Sequence, residues 1–555
     1  MESKISKEQS DLISLISNSN DEIILKNTIK KKVKLFCQEL EKRNQLKLID
    51  LSENNLGNES MDLISNVLKN KSFQIEELNL SINNIGEEGI KFLSDSQKNN
   101  KNLRKLLLYS NRIGDEGMLH VSEIIKENKK IKVLNLSQNN IESNGIKCLS
   151  ESLKDKHLLG KIVLSSNKIG EDGIKFLSEC LKGKTNLKCI DLSSNKIEKG
   201  GIKYFSSCMK ESNLKNLKKI NFSFNNLGDE GIKYLSQLFN STTNLEEMSL
   251  SSNRFGDEGC SFLSQSLKQN LLLKKINFSQ NNIGDEGIKL ISSSLLNKSQ
   301  IETLNLFSNY IEEVGIKFLS NSLKSIKNLK ELNLSTNKMG NKGLKDLSKS
   351  INYCPKLEKL VLIDNLIEKE GIRFFSNSLA ENTSLTALYL QRNKLGNEGI
   401  KFLSNALKSN NSLKKIFLSN CFFDQVGAHH LSQSFYLNTS LKEIDLSENK
   451  IGDSGLEFLI VALENNHSLK KINISCKGFQ FDQILLKKFS FYLDSNLKWK
   501  FERHFSIFKQ FRDSILIFVI VLREMLKRLN LKLPKFVLFE IIKRIDRRSY
   551  FQLIF

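Results

Sequence analysis

The chain has 555 residues, 39% of them hydrophobic and 26% charged, with a formal net charge of +22 and only two prolines. So few prolines, and no Gly/Ser or Pro-rich tract, exclude separate lobes on a flexible linker. The longest apolar run, Ser514–Leu522, is about half of what crosses a bilayer.

Nine cysteines lie scattered without metal-ligand spacing or a C-x-x-C pair, which reads as reduced thiols in the cytoplasm or nucleus. The first residues, Met1 to Lys7, contain no apolar signal segment. The positive charge alone would suit nucleic acid, but Lys recurs at fixed positions of a repeat, so the expectation is a protein partner rather than nucleic acid.

Residues 1–45 show helical spacing through Leu12–Ile16, Ile23–Leu25 and Val33–Leu40, and predict a helical cap. From 46 to 477 one phrase dominates: Leu-x-x-Leu-x-Leu-Ser-x-Asn-x-Ile-Gly-x-x-Gly-Ile-Lys-x-Leu. It occurs fifteen times, almost always at a step of 28 residues, with a degenerate last copy after it. Its Asn slot holds Asn54, Asn83, Asn111, Asn139, Asn167, Asn195, Asn225, Asn253, Asn281, Asn309, Asn337, Asn365, Asn393 and Asn449; Cys421 fills the remaining one. A period sustained this far means stacked supersecondary units, not one globular core.

Within a unit, Leu106 and Leu108 alternate with Lys105, Leu107 and Tyr109, the pattern of a short strand with one buried face. Asn111 then turns the chain, and its carboxamide can serve backbone groups that neighbouring strands cannot reach. Over Glu87–Ser94 the apolar period becomes helical, opened by acidic residues that suit a helix N-terminus. Pairs such as Glu87–Lys91, Glu171–Lys175, Asp229–Lys233, Asp285–Lys289 and Glu313–Lys317 have the favourable i,i+4 order, and ten of fifteen units carry Lys or Arg in that slot. The stripe reads as solvated outer surface. The recurrent Gly, from Gly89 to Gly455, predicts close helix–strand approach. The fold class is therefore α/β: a curved solenoid with a parallel inner β-sheet and outer α-helices, capped at both ends.

The phrase resembles the leucine-rich repeat, and its 28-residue unit with a full helix resembles the ribonuclease-inhibitor-type subclass, over about residues 46–477. The resemblance implies a horseshoe that binds a protein on its concave sheet. Ribonuclease inhibitors alternate two unit types and are acidic and Cys-rich, whereas this chain reads as a single unit type with strong positive charge. The chain also resembles the repeat arm of nucleotide-binding immune receptors, without a G-x-x-x-x-G-K-[ST] phosphate loop.

Most units place Asn or Asp, then Ser, at the last two inward positions of the sheet, as in Asn135/Ser137 and Asp445/Ser447. One stretch departs: Phe307, then Val361/Ile363, Tyr389/Gln391 and Phe417, with Asp364 and Arg392 beside them. Drift within a redundant array is one account. The other is an exposed apolar patch with a charged rim that anchors a protein or peptide. Leu107 and Tyr109 make a smaller departure near the other end.

The tail, residues 478–555, stops repeating and holds 16 basic against 7 acidic residues, a basic helical module. Its segment Leu533–Asp546 resembles the opening of an F-box, which leaves a ubiquitin-ligase adaptor as an alternative. A second alternative, resemblance to Ran-type GTPase activators, would draw on Arg112, Arg254 or Arg392. Six scattered His residues form no nucleophile–base or metal spacing. The expectation is a non-enzymatic scaffold without metal, cofactor or small-molecule substrate.

Overall fold

The computed structural model describes residues 21–502, apart from 30–31, 44, 70–72, 213 and 477–479. Among them, seventeen three-residue strands alternate with seventeen helices. Strands run from Glu22–Ile24 (β1) and Leu48–Asp50 (β2) to Lys471–Asn473 (β17); helices run from Val33–Glu41 (α1) to Gln483–Glu502 (α17). Each strand pairs in parallel with the next in the chain, forming one open sheet.

The middle residue of each strand is buried and its two neighbours face away from the core, as the alternating pattern predicts. In one unit Leu103, Leu106, Leu108, Ile113, Met118, Val121 and Ile125 are all buried between sheet and helix. Strands stack about 4.8 Å apart, whereas packed helices need about 8–10 Å. The sheet must therefore take the inside of the curve.

The Asn carboxamides bind the units together. All fourteen are buried, and each Nδ2 donates to a carbonyl of the preceding unit, as Asn393 does to Leu362 at 2.8 Å. Asn393 also donates to Leu390 of its own unit, while its Oδ1 accepts from the N–H groups of Asn365 and Ile367. The residue before every slot adopts a left-handed conformation, from Glu53 to Glu448. At Cys421 the thiol donates to the Leu390 carbonyl at 3.3 Å, and the Asn393 N–H turns to the sulfur. Burial pushes that thiol up to about 12.

A second ladder, not expected from the sequence, closes the helix-to-strand turns. Asn410 Nδ2 donates to the carbonyls of Leu379 and Asn382, and Asn438 and Asn466 repeat the arrangement. Lys156, Lys184 and Lys298 occupy the same slot in other units. Each is buried and aims Nζ at a carbonyl ending the preceding helix, where the helix dipole favours a cation.

The units are of two backbone types, not one. In the first, the helix opens on a left-handed glycine: Gly57, Gly114, Gly170, Gly228, Gly340, Gly396 and Gly452. In the second, the equivalent residue is extended, as in Glu142, Glu198, Glu312, Glu368 and Asp424, but also Gly86, Gly256 and Gly284. The types alternate from Asn54 to Asn225, give way to three extended units at Asn253, Asn281 and Asn309, and then alternate again to Asn449. The residue after each left-handed glycine commonly caps the next unit. Asp115 Oδ1 accepts from the Glu142 N–H, Asp229 from Gly256 and Gly259, and Asn341 from Glu368 and Gly371.

This trans-capping corrects the expected acid–Lys pairs. Only Glu171–Lys175 forms as an i,i+4 ion pair among those named, at 3.1 Å. Asp229 and Asp285 cap the following unit instead, and Glu313 pairs with Lys342 of the next helix. The recurrent glycine is also required elsewhere than expected. A Cβ on Gly173 would meet Ile169 Cγ2 at 2.7 Å and the Ser143 Cα of the preceding helix at 3.3 Å, so the close approach is helix to helix.

At the N-terminal end, Ile23–Leu25 is not helical. Glu22–Ile24 extends the sheet on β2, because a β-branched pair with one buried residue suits an edge strand better than a helix turn. Leu12–Ile16 lies outside the described residues. At the other end, Phe481 and Phe489 are buried where α17 covers the last unit. The F-box-like segment Leu533–Asp546 lies outside the described residues.

Two sets of substitutions separate the roles of the turn residues. Cys421→Asn restores an acceptor for the buried Asn393 N–H and is expected to stabilise the chain by about 1 kcal/mol in denaturant titration, while Asn393→Ala strands several buried groups and costs about 2–4 kcal/mol. Gly170→Ala, at φ +64° in open space, is expected to cost about 1 kcal/mol from backbone strain alone. Gly86→Ala, at φ −101°, should be neutral or slightly stabilising in the same titrations.

Candidate binding surface on the inner sheet

The inner face is built from the outer two residues of each strand and the residue two positions further on. Strands Lys359–Val361 (β13), Ala387–Tyr389 (β14), Lys415–Phe417 (β15) and Glu443–Asp445 (β16) pair in register, so Asn333, Val361, Tyr389, Phe417 and Asp445 form one row. Tyr389 and Phe417 stack with ring centroids 4.4 Å apart and planes 7° from parallel. Both are half-buried. Lys359 Nζ lies 5.6 Å from the Tyr389 centroid while bonded to Glu331 at 2.7 Å.

The remaining predicted residues divide. Ile363 is half-buried, its N–H donating to Ser335 Oγ at 3.1 Å. Gln391 is half-buried as well, and its Oε1 is buried without a hydrogen-bond partner among the described residues. Asp364 and Arg392 sit at the left-handed bend, φ +54° and +56°, with Arg392 exposed. Val361 corrects the expected exposed patch: at 7% exposure it is covered in its row between Asn333 and Tyr389. Phe307 is half-buried and separated from Ile363 by the Ser335 level, so it does not belong to the same cluster. Leu107 and Tyr109 are half-buried on their own level.

Elsewhere the face is polar, and the first inward position carries a ladder of ion pairs. Glu247 lies between Lys219 at 2.8 Å and Lys275 at 3.0 Å; Glu443 lies between Lys415 at 2.9 Å and Lys471 at 2.7 Å. One position earlier, Glu246 bridges Lys218 at 2.6 Å and Lys274 at 2.9 Å. Hydrogen bonds from those two ammonium groups pull the Glu246 carboxyl down to about 2. Hydrogen bonds from Lys471 and Lys415 likewise lower Glu443. For Glu247 burial pushes upward, and Lys219 and Lys275 outweigh it. Lys219, Glu247 and Lys275 border an open trough of about 340 Å³ that includes Asp191, Asn221 and Ser249. It overlaps the levels where the alternation of unit types breaks. Sequence reasoning misses it, although Lys219, Glu247 and Lys275 recur in the repeat period with alternating sign.

On the outer face the lysine stripe has a role besides solvation. Lys147, Lys203, Lys233, Lys289 and Lys345 each place Nζ over an aromatic ring of the next helix, closest at 4.4 Å for Lys345 and Phe374. The recurrent Lys-aromatic step thereby covers apolar surface between neighbours. Among the described residues no group of His, Cys, Asp and Glu could hold a metal ion, and no helix is long and apolar enough to cross a membrane.

The Leucine Rich repeat family profile matches ten segments: 72–94, 99–121, 127–150, 183–206, 213–236, 242–264, 269–292, 325–348, 381–404 and 437–459. The chain is a leucine-rich-repeat protein, and its sheet and helices form that solenoid. No curated protein matches it. Among solved structures, it is similar to an internalin from Listeria monocytogenes at 19% identity, covering 66% of this chain and 93% of that one with a TM-score of 0.42. It is similar to TLR13 in a TLR13–ssRNA13 complex at 16% identity, covering 79% and 64% with a TM-score of 0.40. A leiomodin-1 actin-binding site 2 structure covers 34% of this chain and 94% of its own, at 13% identity and a TM-score of 0.25.

The bridged carboxylates give a sign to the acid behaviour. Glu246 has a folded value near 2 against an ordinary 4.5, so its stabilisation is present above pH 4.5 and lost as pH falls through about 2. Thermal melts of Glu246→Gln and the parent chain should differ at pH 6, with the parent more stable, and converge near pH 2.

Proposed function

We propose that the chain is a non-enzymatic scaffold that binds a protein or peptide through the inner sheet, with Tyr389, Phe417 and Ile363 as its centre. The observation that carries this reading is the stacked, half-buried Tyr389–Phe417 pair on a face where most other levels present Asn, Asp and Ser. Folding does not require those rings, since the equivalent positions hold Asn333 and Asp445 without loss of strand pairing. Rigid aromatic side chains supply contact area at small entropic cost, and clustered ones anchor interfaces. Arg392 and Asp364 at the bend would form its polar rim, with Gln391 Oε1 an acceptor to be satisfied by the partner.

We further infer that the array belongs to the ribonuclease-inhibitor-type subclass, on its full helices and two alternating backbone types, and that it works in the cytoplasm or nucleus with reduced thiols. The positive charge and the Lys-bridged carboxylates of the inner face argue against a basic ribonuclease as the partner.

Purification of full-length protein with its complexes, followed by mass spectrometry, tests the reading. The double variant Tyr389→Ser, Phe417→Ser should melt within a few degrees of the parent and lose at least about tenfold in affinity for its most enriched partner, equivalent to about 1.4 kcal/mol. An unchanged partner profile would exclude this face as the interface.

A further inference from the structure

The slot immediately after the Asn ladder lies on the rim where strands turn toward helices. Twelve of its fifteen occupants are Asn, Lys or Arg; the three exceptions are Tyr310, Leu366 and Phe422, one every second unit. All three are open to solvent, at 56%, 58% and 62% exposure. Leu366 and Phe422 are also left-handed, φ +56° and +61°, a conformation that bulky apolar residues adopt at a cost and that Asn tolerates. Asn84 and Asn140 occupy the same slot and conformation in earlier units. Neither solvation nor local folding favours Leu or Phe here.

Between and beside the three apolar residues stand Lys338, Lys394 and Lys450. Rim bridges pair Glu312 with Lys338, Glu368 with Lys394 and Asp424 with Lys450. Lys338 has Glu312 at 3.8 Å and the Tyr310 centroid at 5.9 Å, whereas Lys394, Lys450 and the nearby Arg392 have no carboxylate within ion-pair distance among the described residues. Asp424 is engaged, its carboxylate accepting from Val426 N–H and Asn397 Nδ2. The rim thus alternates apolar and cationic steps.

We propose that this rim binds an extended acidic peptide segment that carries an apolar side chain about every third residue. Two strand levels span about 10 Å, which is about one three-residue turn of an extended polyproline II chain, so every third side chain faces the rim. Each apolar side chain of the segment would then meet Tyr310, Leu366 or Phe422, and the acidic residues between them would meet Lys338, Lys394 and Lys450. The +22 charge of the whole chain also steers an acidic segment toward it. The inference rests on the proposed binding role and extends it, because Ile363 and Arg392 join this rim to the aromatic pair within a few residues.

Fluorescence anisotropy with a labelled peptide repeating Phe-Glu-Asp tests it, using the full chain. Binding should weaken at least about tenfold for Leu366→Asn with Phe422→Asn and for Lys394→Glu with Lys450→Glu, and a peptide repeating Phe-Lys-Lys should not bind. The Asn variant should melt at or above the parent temperature, since Asn suits the left-handed slot, so lost binding cannot be lost folding. No binding by the parent, equal binding of the basic peptide, or full retention by the Asn variant overturns the proposal. Retention by the Asn variant with loss in Tyr389→Ser, Phe417→Ser would place the peptide on the inner sheet alone and leave that reading standing.

Discussion

The buried carboxamide that passes hydrogen bonds from one unit to the next is the constraint on which the rest of this structure depends. Each unit turns sharply away from its strand at the Asn slot, and the turn exposes N–H and C=O groups that no strand can pair. Left bare in a dry interior, each would cost about 1–3 kcal/mol. Asn resolves this because it can donate and accept from one short side chain: Asn393 serves Leu362 and Leu390 as donor, and Asn365 and Ile367 as acceptor, whereas Asn139, Asn195, Asn253 and Asn365 act as donors alone among the described residues. No unit satisfies its own turn alone, so stability is shared between neighbours. The second ladder, through Asn410, Asn438 and Asn466, does the same where helices return to strands.

Two ladders on opposite sides of the core leave little freedom in how units stack, and the two backbone types are the freedom that remains. A left-handed glycine lets Gly170 donate to the Asn195 carbonyl, while an extended residue such as Glu142 receives its cap from the preceding unit. Alternation therefore makes each unit a complement to the next rather than a copy. The three successive extended units, around Asn253 to Asn309, overlap the inner-face trough bordered by Lys219, Glu247 and Lys275.

Sequence made the stack legible and the alternation not. The Asn slots, the buried strand leucines and the inward row all follow from period and residue type, since each chemical role has one good occupant. Backbone type does not, because glycine is compatible with both forms. Gly284 stands in the phase of the left-handed glycines, yet the Asp257 carboxylate accepts its N–H and it stays extended. Position 361 shows another limit. Periodicity places Val361 on the inner face but cannot say that its neighbours in the row cover it. The acid–Lys pairs failed for a related reason: the next unit offers the acids other partners, Asp229 and Asp285 accepting from backbone N–H groups there and Glu313 pairing with Lys342.

Because the ladders and the core leucines carry stability, the inner face and the rim are free to vary, and their deviations carry information that core positions do not. A buried Leu recurs because nothing else fits; an exposed Phe in a left-handed bend has no such reason. The stacked Tyr389–Phe417 pair and the rim residues Leu366 and Phe422 fall within the same few units, whereas most corresponding positions of earlier units hold Asn, Asp, Ser and Lys. Exposed apolar residues at left-handed bends also occur earlier, at Ile82 and Phe224, but there they stand singly. Only toward one end do they adjoin a stacked aromatic pair, on two surfaces that folding leaves unconstrained, and that conjunction is what a single contact surface requires.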